Sequence, residues 1–176
     1  MIAPAVLRVR PPAAAALIAA LVLVVAGKTY YRSATAGDLA WLLAPTAMCV
    51  SATTDTHFVR EPDAPKLGWV DRDARFAIAP PCAGLHFLLA ALLVLALAAA
   101  PAMTSWPAAA RQLVLACAGA YIAAIVVNTV RIAIAIRMHA RALGGEDLHC
   151  LEGTVVYLGG LCALYALARR IHAQPA

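Results

Sequence analysis

The sequence predicts an all-α polytopic integral membrane protein: about four transmembrane helices, a short interfacial or re-entrant helix and a long extracytoplasmic loop. Two observations carry this. Of the 176 residues 64% are hydrophobic and only 13% charged, about half the charged fraction of a soluble domain. The nine acids are confined to residues 38–73 and 146–152, leaving long stretches that are apolar or basic. The whole chain, 1–176, reads as a single membrane domain. The net charge of +5 then reflects topology rather than nucleic-acid binding, because no basic stripe with interleaved aromatics occurs.

Residues 11–31 form the first expected span. Pro11-Pro12 start it, the apolar stretch has about the 20 residues needed to cross, and Tyr30-Tyr31 suit an interface. The basic start and the small residues Ala34-Thr35-Ala36 are also compatible with a cleaved signal peptide. Residues 32–81 are the expected outer loop. Within it Leu39 to Val50 is too short to cross and carries Pro45, which fits an interfacial or re-entrant helix. Ser51 to Pro80 is polar and long enough to be functional, and Ala77-Ile78-Ala79 reads as a short strand or an entry segment.

Further spans are expected at residues 83–100, 108–136 and 149–167, with Trp106-Pro107 in a turn and residues 137–148 as a polar connector. Four spans place both termini on one side. Arg8, Arg10, Arg111, Arg169 and Arg170 flank that side without an acid, so it is expected to be cytoplasmic. Cys82 then opens the second span at the outer surface. From Ala108 to Arg131 the rise is roughly 35 Å at about 1.5 Å per residue, which brings Arg131 to that surface, where His149 opens the last span.

Pro80-Pro81 before an apolar run is a helix-start signal, which would set Cys82 in a first turn where backbone N–H groups favour a thiolate. Alternatively, Cys82 is a small buried apolar residue. Arg131 in an apolar helix needs a partner or a task, and Asn128, three residues earlier on the same face, is placed to orient it. A snorkelling arginine and a satisfied interfacial histidine are the bland alternatives for Arg131 and His149. Together the three suit acyl transfer. Cys82 would attack a peptide carbonyl, His149 would supply the leaving amine's proton, and Arg131 would stabilise the thiolate or oxyanion. Glu152, one turn after His149, would orient the imidazole or simply favour the helix start.

These residues resemble the exosortase/archaeosortase family of membrane transpeptidases, and within it the short type called exosortase K. The resemblance lies in Cys82-Ala83-Gly84 opening a span, Asn128-Thr129-Val130-Arg131-Ile132 late in the next, and His149 followed by Gly153 opening the last. It implies catalytic Cys82, Arg131 and His149, with Asn128, Glu152, Gly84 and Gly153 in support. It also implies a multi-pass protein of the bacterial cell (inner) membrane with an outward-facing site. The expected partners are the lipid bilayer and exported proteins ending in a motif, a transmembrane helix and a basic tail; no cofactor, metal or nucleic acid is expected.

Two other function classes remain open from sequence. Cys49, Cys82 and Cys150 could all lie outside, where thiol–disulfide exchange operates, although none of the five cysteines forms a close pair. A non-enzymatic assembly subunit would use Cys82, Arg131 and His149 only for packing. A metal site among His57, His86, His139 and His149 lacks ligand spacing on any one helix face.

Overall fold

A computed structural model describes residues 10–60, 68–71, 76–140 and 146–173; the side chains of residues 140, 146–150 and 172–173 lie outside the described set. Its elements are α1 (Pro11–Tyr31), α2 (Ala40–Thr53), β1 (Phe58–Arg60), β2 (Trp69–Asp71), β3 (Phe76–Ile78), α3 (Leu85–Ala99), α4 (Trp106–Ala140) and α5 (Glu146–Ala173). Among the described residues four helical segments are long and apolar enough to cross a membrane: Pro11–Tyr31, Pro80–Ala102, Trp106–His139 and Leu151–Ile171. This is an all-α multi-pass membrane architecture.

Helix α3 is the hub of the bundle and packs on α1, α4 and α5. Glycines let the neighbours approach closely, as expected where lipid provides no hydrophobic force between helices. A Cβ on Gly27 of α1 would sit 2.7 Å from Leu89 of α3, and one on Gly160 of α5 would sit 3.0 Å from Val127 of α4. The remaining faces are lipid-like, with Ile18, Val22, Val25, Val114, Ile122, Val126, Val155 and Leu158 all exposed. A small cluster of Ala13, Ala16, Ala99, Met103 and Ala109 closes the end of the bundle where Arg10, Arg111, Arg169 and Arg170 gather.

Several boundaries differ from the sequence expectation; α5, for one, starts at Glu146, inside the expected 137–148 connector. Trp106 and Pro107 belong to α4 rather than to a turn, because Ser105 precedes them as a cap: its carbonyl accepts from the Ala109 N–H at 2.8 Å and its hydroxyl from Ala108 at 3.4 Å. Helix α4 also runs on through Ala140, so its last residues are helical rather than connector. Falling hydropathy marks the edge of a bilayer, not the end of a helix, and the Phe76 and His139 rings, 5.1 Å apart, hold that end against β3.

The residue 32–81 segment is more structured than a loop. Thr35 and Asp38 form a reciprocal box before α2: the Thr35 N–H donates to Asp38 Oδ2 at 2.8 Å, and the Asp38 N–H donates to Thr35 Oγ1 at 3.3 Å. These bonds from Thr35 hold the exposed Asp38 carboxyl below the usual carboxylate range. Helix α2 buries Leu42, Leu43, Thr46, Ala47 and Val50 against the bundle, mainly on α4. Beyond it, β1, β2 and β3 make an antiparallel three-stranded meander, with Phe58 opposite Asp71 and Trp69 opposite Ile78. Strand β3 leads directly into the turn that carries Cys82.

Pro45 does not break α2, and a single bond shows how this is tolerated. Proline at 45 deprives the Trp41 carbonyl of its i+4 donor. The hydroxyl of Tyr121, on α4, donates to that carbonyl at 2.9 Å, and the Trp41 and Tyr121 rings stack at 5.8 Å. Replacing Tyr121 with Phe should therefore destabilise the protein by about 1 kcal/mol, the ordinary net worth of a hydrogen bond. In a Pro45→Ala background residue 45 regains an N–H and the same change should cost almost nothing. Thermal unfolding of the four variants in detergent checks the cycle, and equal costs in both backgrounds would contradict this account.

Candidate active site

The turn that carries Cys82 is built by its neighbours. Pro80–Cys82 forms a single 3-10 turn, with the Cys82 N–H donating to Ala79 O at 2.8 Å and the Ala83 N–H to Pro80 O at 3.0 Å. Gly84 follows in the left-handed region at φ 74°, and α3 starts only at Leu85. The sequence expectation of Cys82 inside the first turn of the span is corrected here. A left-handed residue cannot continue a right-handed helix, so Gly84 separates the thiol turn from the transmembrane helix. Cys82 therefore sits on a short pedestal above the N-terminus of α3 and is partly exposed.

Asn128 holds this pedestal. Its side chain is completely buried, and Nδ2 donates to the Cys82 carbonyl at 2.6 Å. Its Oδ1 accepts twice, from the Tyr157 hydroxyl at 2.9 Å and from Arg131 Nε at 3.3 Å. One amide therefore ties the thiol turn to α4 and α5. Gly84 leaves room for it, since a Cβ there would lie 3.1–3.2 Å from Asn128 side-chain atoms.

Arg131 is only 8% exposed, and its placement follows from its contacts. Besides Asn128, its guanidinium lies over the Tyr157 ring, 5.4 Å from the centroid, and within electrostatic reach of Cys82 and Glu152. Gly153 lies against its side chain: a Cβ there would come 3.6 Å from Cδ and 3.7 Å from Nη1, in ordinary contact. The Glu152 carboxylate oxygens are buried on this side of α5. Of the residues expected from sequence, Cys82, Asn128, Arg131, Glu152, Gly84 and Gly153 thus meet at one end of the bundle. The backbone of His149 is in the first turn of α5, one turn before Glu152; its side chain, with that of Cys150, lies outside the described residues.

Two residues of this site were not anticipated. Tyr157 sits one turn beyond Gly153 and packs its ring against Phe87 at 5.2 Å while its hydroxyl reaches Asn128. Its i+4 spacing from Gly153 and i+5 from Glu152 was the available signal. Tyr31, at the end of α1, donates its hydroxyl to Pro80 O at 3.3 Å and stands edge-on to His86 at 4.8 Å. A tyrosine pair at a span end reads as an interface anchor, which hid the inward role of the second ring.

The arrangement provides a partly exposed thiol, a fixed cation beside it, and a buried hydrogen-bond network that sets their separation. Among the described residues Cys49, Cys82, Cys117 and Cys162 are all free thiols. Residues 69–166 match the sequence model of the transmembrane exosortase (Exosortase_EpsH) family, a match that spans more than half of the chain and all of these residues but Tyr31. The chain belongs to the transmembrane exosortase family. No curated protein and no solved structure matches it. The family match begins at Trp69, the first residue of β2, so it takes in the central and last strands, the thiol turn and helices α3 and α4 in full.

Gly84 is a sensitive non-reacting position at the site of this exosortase. Gly84→Ala forces a side chain into left-handed backbone and towards Asn128, for an expected loss of about 1–3 kcal/mol and displacement of the Cys82 turn. Gly153→Ala, in ordinary contact with Arg131, should cost far less. Unfolding midpoints and Cys82 alkylation rates of the two variants measure the contrast, and equal effects would contradict the close packing of Gly84 on Asn128.

Proposed function

We propose that the protein is a membrane-embedded cysteine transpeptidase that cleaves C-terminal sorting signals of exported proteins through a thioester acyl-enzyme, on the extracytoplasmic side of a bacterial cell membrane. The observation that supports this reading is that one amide, Asn128, bonds both the Cys82 carbonyl and Arg131 Nε, which holds the thiol turn beside the guanidinium. Membership of the exosortase family supports the same reading. For the side of the membrane, the support is charge: the opposite end of the bundle carries Arg10, Arg111, Arg169 and Arg170 without an acid among the described residues, the pattern of a cytoplasmic face.

In this mechanism the Cys82 sulfur, as thiolate, attacks the carbonyl carbon of the scissile peptide. A C–S bond forms and the carbonyl oxygen becomes an oxyanion. Arg131, a fixed cation in a site of low dielectric, faces the charge that moves from sulfur to oxygen, and it needs little reorganisation because Asn128 and Tyr157 already hold it. Collapse of the intermediate breaks the C–N bond, and the leaving amine takes a proton from His149. The thioester is then attacked by an acceptor nucleophile or by water, from which His149 removes a proton, and Cys82 is released. The substrate's transmembrane helix would lie in the bilayer beside the lipid-exposed faces of α4 and α5, with its basic tail on the arginine-rich side. Glu152 would bias the His149 imidazole from the next turn of α5, and its carboxylate lies within electrostatic reach of Arg131.

Co-expression with a tagged membrane protein ending in a motif, a helix and a basic tail tests this. Processing should fall to background with Cys82→Ala. It should fall about 100- to 1,000-fold with Arg131→Ala and by at least about 100-fold with His149→Ala. A hydroxylamine-sensitive adduct should accumulate only when Cys82 is present. Unchanged processing by Cys82→Ala would overturn the reading.

A further inference from the structure

A second polar feature adjoins the thiol turn and takes no part in the proposed chemistry. Between the last turns of α1 and the start of α3 lies an open cavity of about 330 Å³ lined by Val25, Lys28, Thr29, Tyr31, Arg32 and His86. Its volume is within the range of small-ligand sites. Lys28 and Arg32 are one turn apart on one face of the α1 end, and among the described residues neither has an acidic partner. Asp38, the nearest acid in sequence, is engaged by Thr35. The negative end of the α1 dipole amounts to about half a charge against two full positive ones, so the cavity keeps a net positive field. Its remaining polar groups are of the kind that bind phosphate oxygens: the Thr29 hydroxyl, which now donates to Val25 O at 2.9 Å, and the His86 ring.

The depth of the cavity identifies the source of the anion. Lys28 and Arg32 end a membrane span, the level at which lipid headgroups lie, and Val25, below them, is exposed on the lipid face. We propose that this cavity binds the phosphate of an anionic phospholipid headgroup, with Lys28 and Arg32 as the charged contacts and Val25 against the first acyl carbons. Tyr31 forms the wall between the cavity and the thiol turn, through its bond to Pro80 O. A bound headgroup therefore lies one side chain from Cys82. The inference concerns binding alone and stands apart from the transpeptidase reading.

Native mass spectrometry of the full chain released from detergent, titrated with short-chain phosphatidylglycerol, tests it. The expected result is one retained lipid whose apparent affinity falls at least about tenfold in Lys28→Gln/Arg32→Gln. The Arg169→Gln/Arg170→Gln pair at the other end should bind as the unaltered chain does. Both pairs are exposed, and circular dichroism confirms their folding. Equal affinity in the Lys28→Gln/Arg32→Gln variant, or an equal loss in both pairs, would overturn the site. Displacement of the lipid by millimolar inorganic phosphate would reassign the site to a free anion and overturn the lipid reading.

Discussion

The site depends on how the one asparagine of the chain is satisfied. A fully buried primary amide in a membrane bundle needs both of its ends paired, since an unmet polar group there costs about 1–3 kcal/mol. Asn128 meets this with three partners from three elements: the Cys82 carbonyl, the Tyr157 hydroxyl and Arg131 Nε. The same bonds that satisfy the amide set where the thiol turn sits relative to the cation. Fold stability and site geometry are therefore one constraint at this position. Gly84 is part of it, because a Cβ there would press on the Asn128 side chain at 3.1–3.2 Å.

Backbone accounting gives a second view of the same economy. In lipid every broken ladder bond must be remade within the protein. At Trp41, whose donor is removed by Pro45, the repair comes from Tyr121. At Pro80, whose carbonyl already accepts from the Ala83 N–H, the Tyr31 hydroxyl adds a second bond. Tyr157 completes the set at Asn128. Three tyrosines on three different helices thus act as polar pegs in an apolar bundle, each contributing a ring to packing and a hydroxyl to one acceptor. The sheet has a related role. Strand β3 buries Ile78 and leads straight into Pro80, so the meander fixes the entry to the thiol turn as α3 fixes its exit.

The spans were legible because hydropathy reports on lipid directly, and residues 11–31 coincide with α1. Counting rise per residue also placed Cys82, Arg131 and the start of the last span at one level, and Asn128 was legible through its i+3 spacing from Arg131. The thiol turn itself was not. Pro80-Pro81 is a sound helix-start signal, yet the fold uses it for a 3-10 turn, and a glycine that can take either hand does not announce in sequence that Gly84 will be left-handed. The three-stranded sheet was also hidden, since strands of three residues give too short a pattern to separate from a loop. Tyr31 escaped because a tyrosine at a span end has an ordinary interfacial explanation, and Tyr157 because a lone mid-span tyrosine gives no pattern of its own.

The central claim is that the Asn128 amide is bonded to the Cys82 carbonyl. Because the chain has a single asparagine, labelling Asn with side-chain ¹⁵N and Cys with carbonyl ¹³C isolates this pair in the membrane. Solid-state NMR dipolar recoupling from Asn128 Nδ2 should give strong transfer to one cysteine carbonyl, as the 2.6 Å hydrogen bond requires, and Cys82→Ala should remove that signal. Absence of transfer in the intact chain, or a signal that survives Cys82→Ala, would contradict the account.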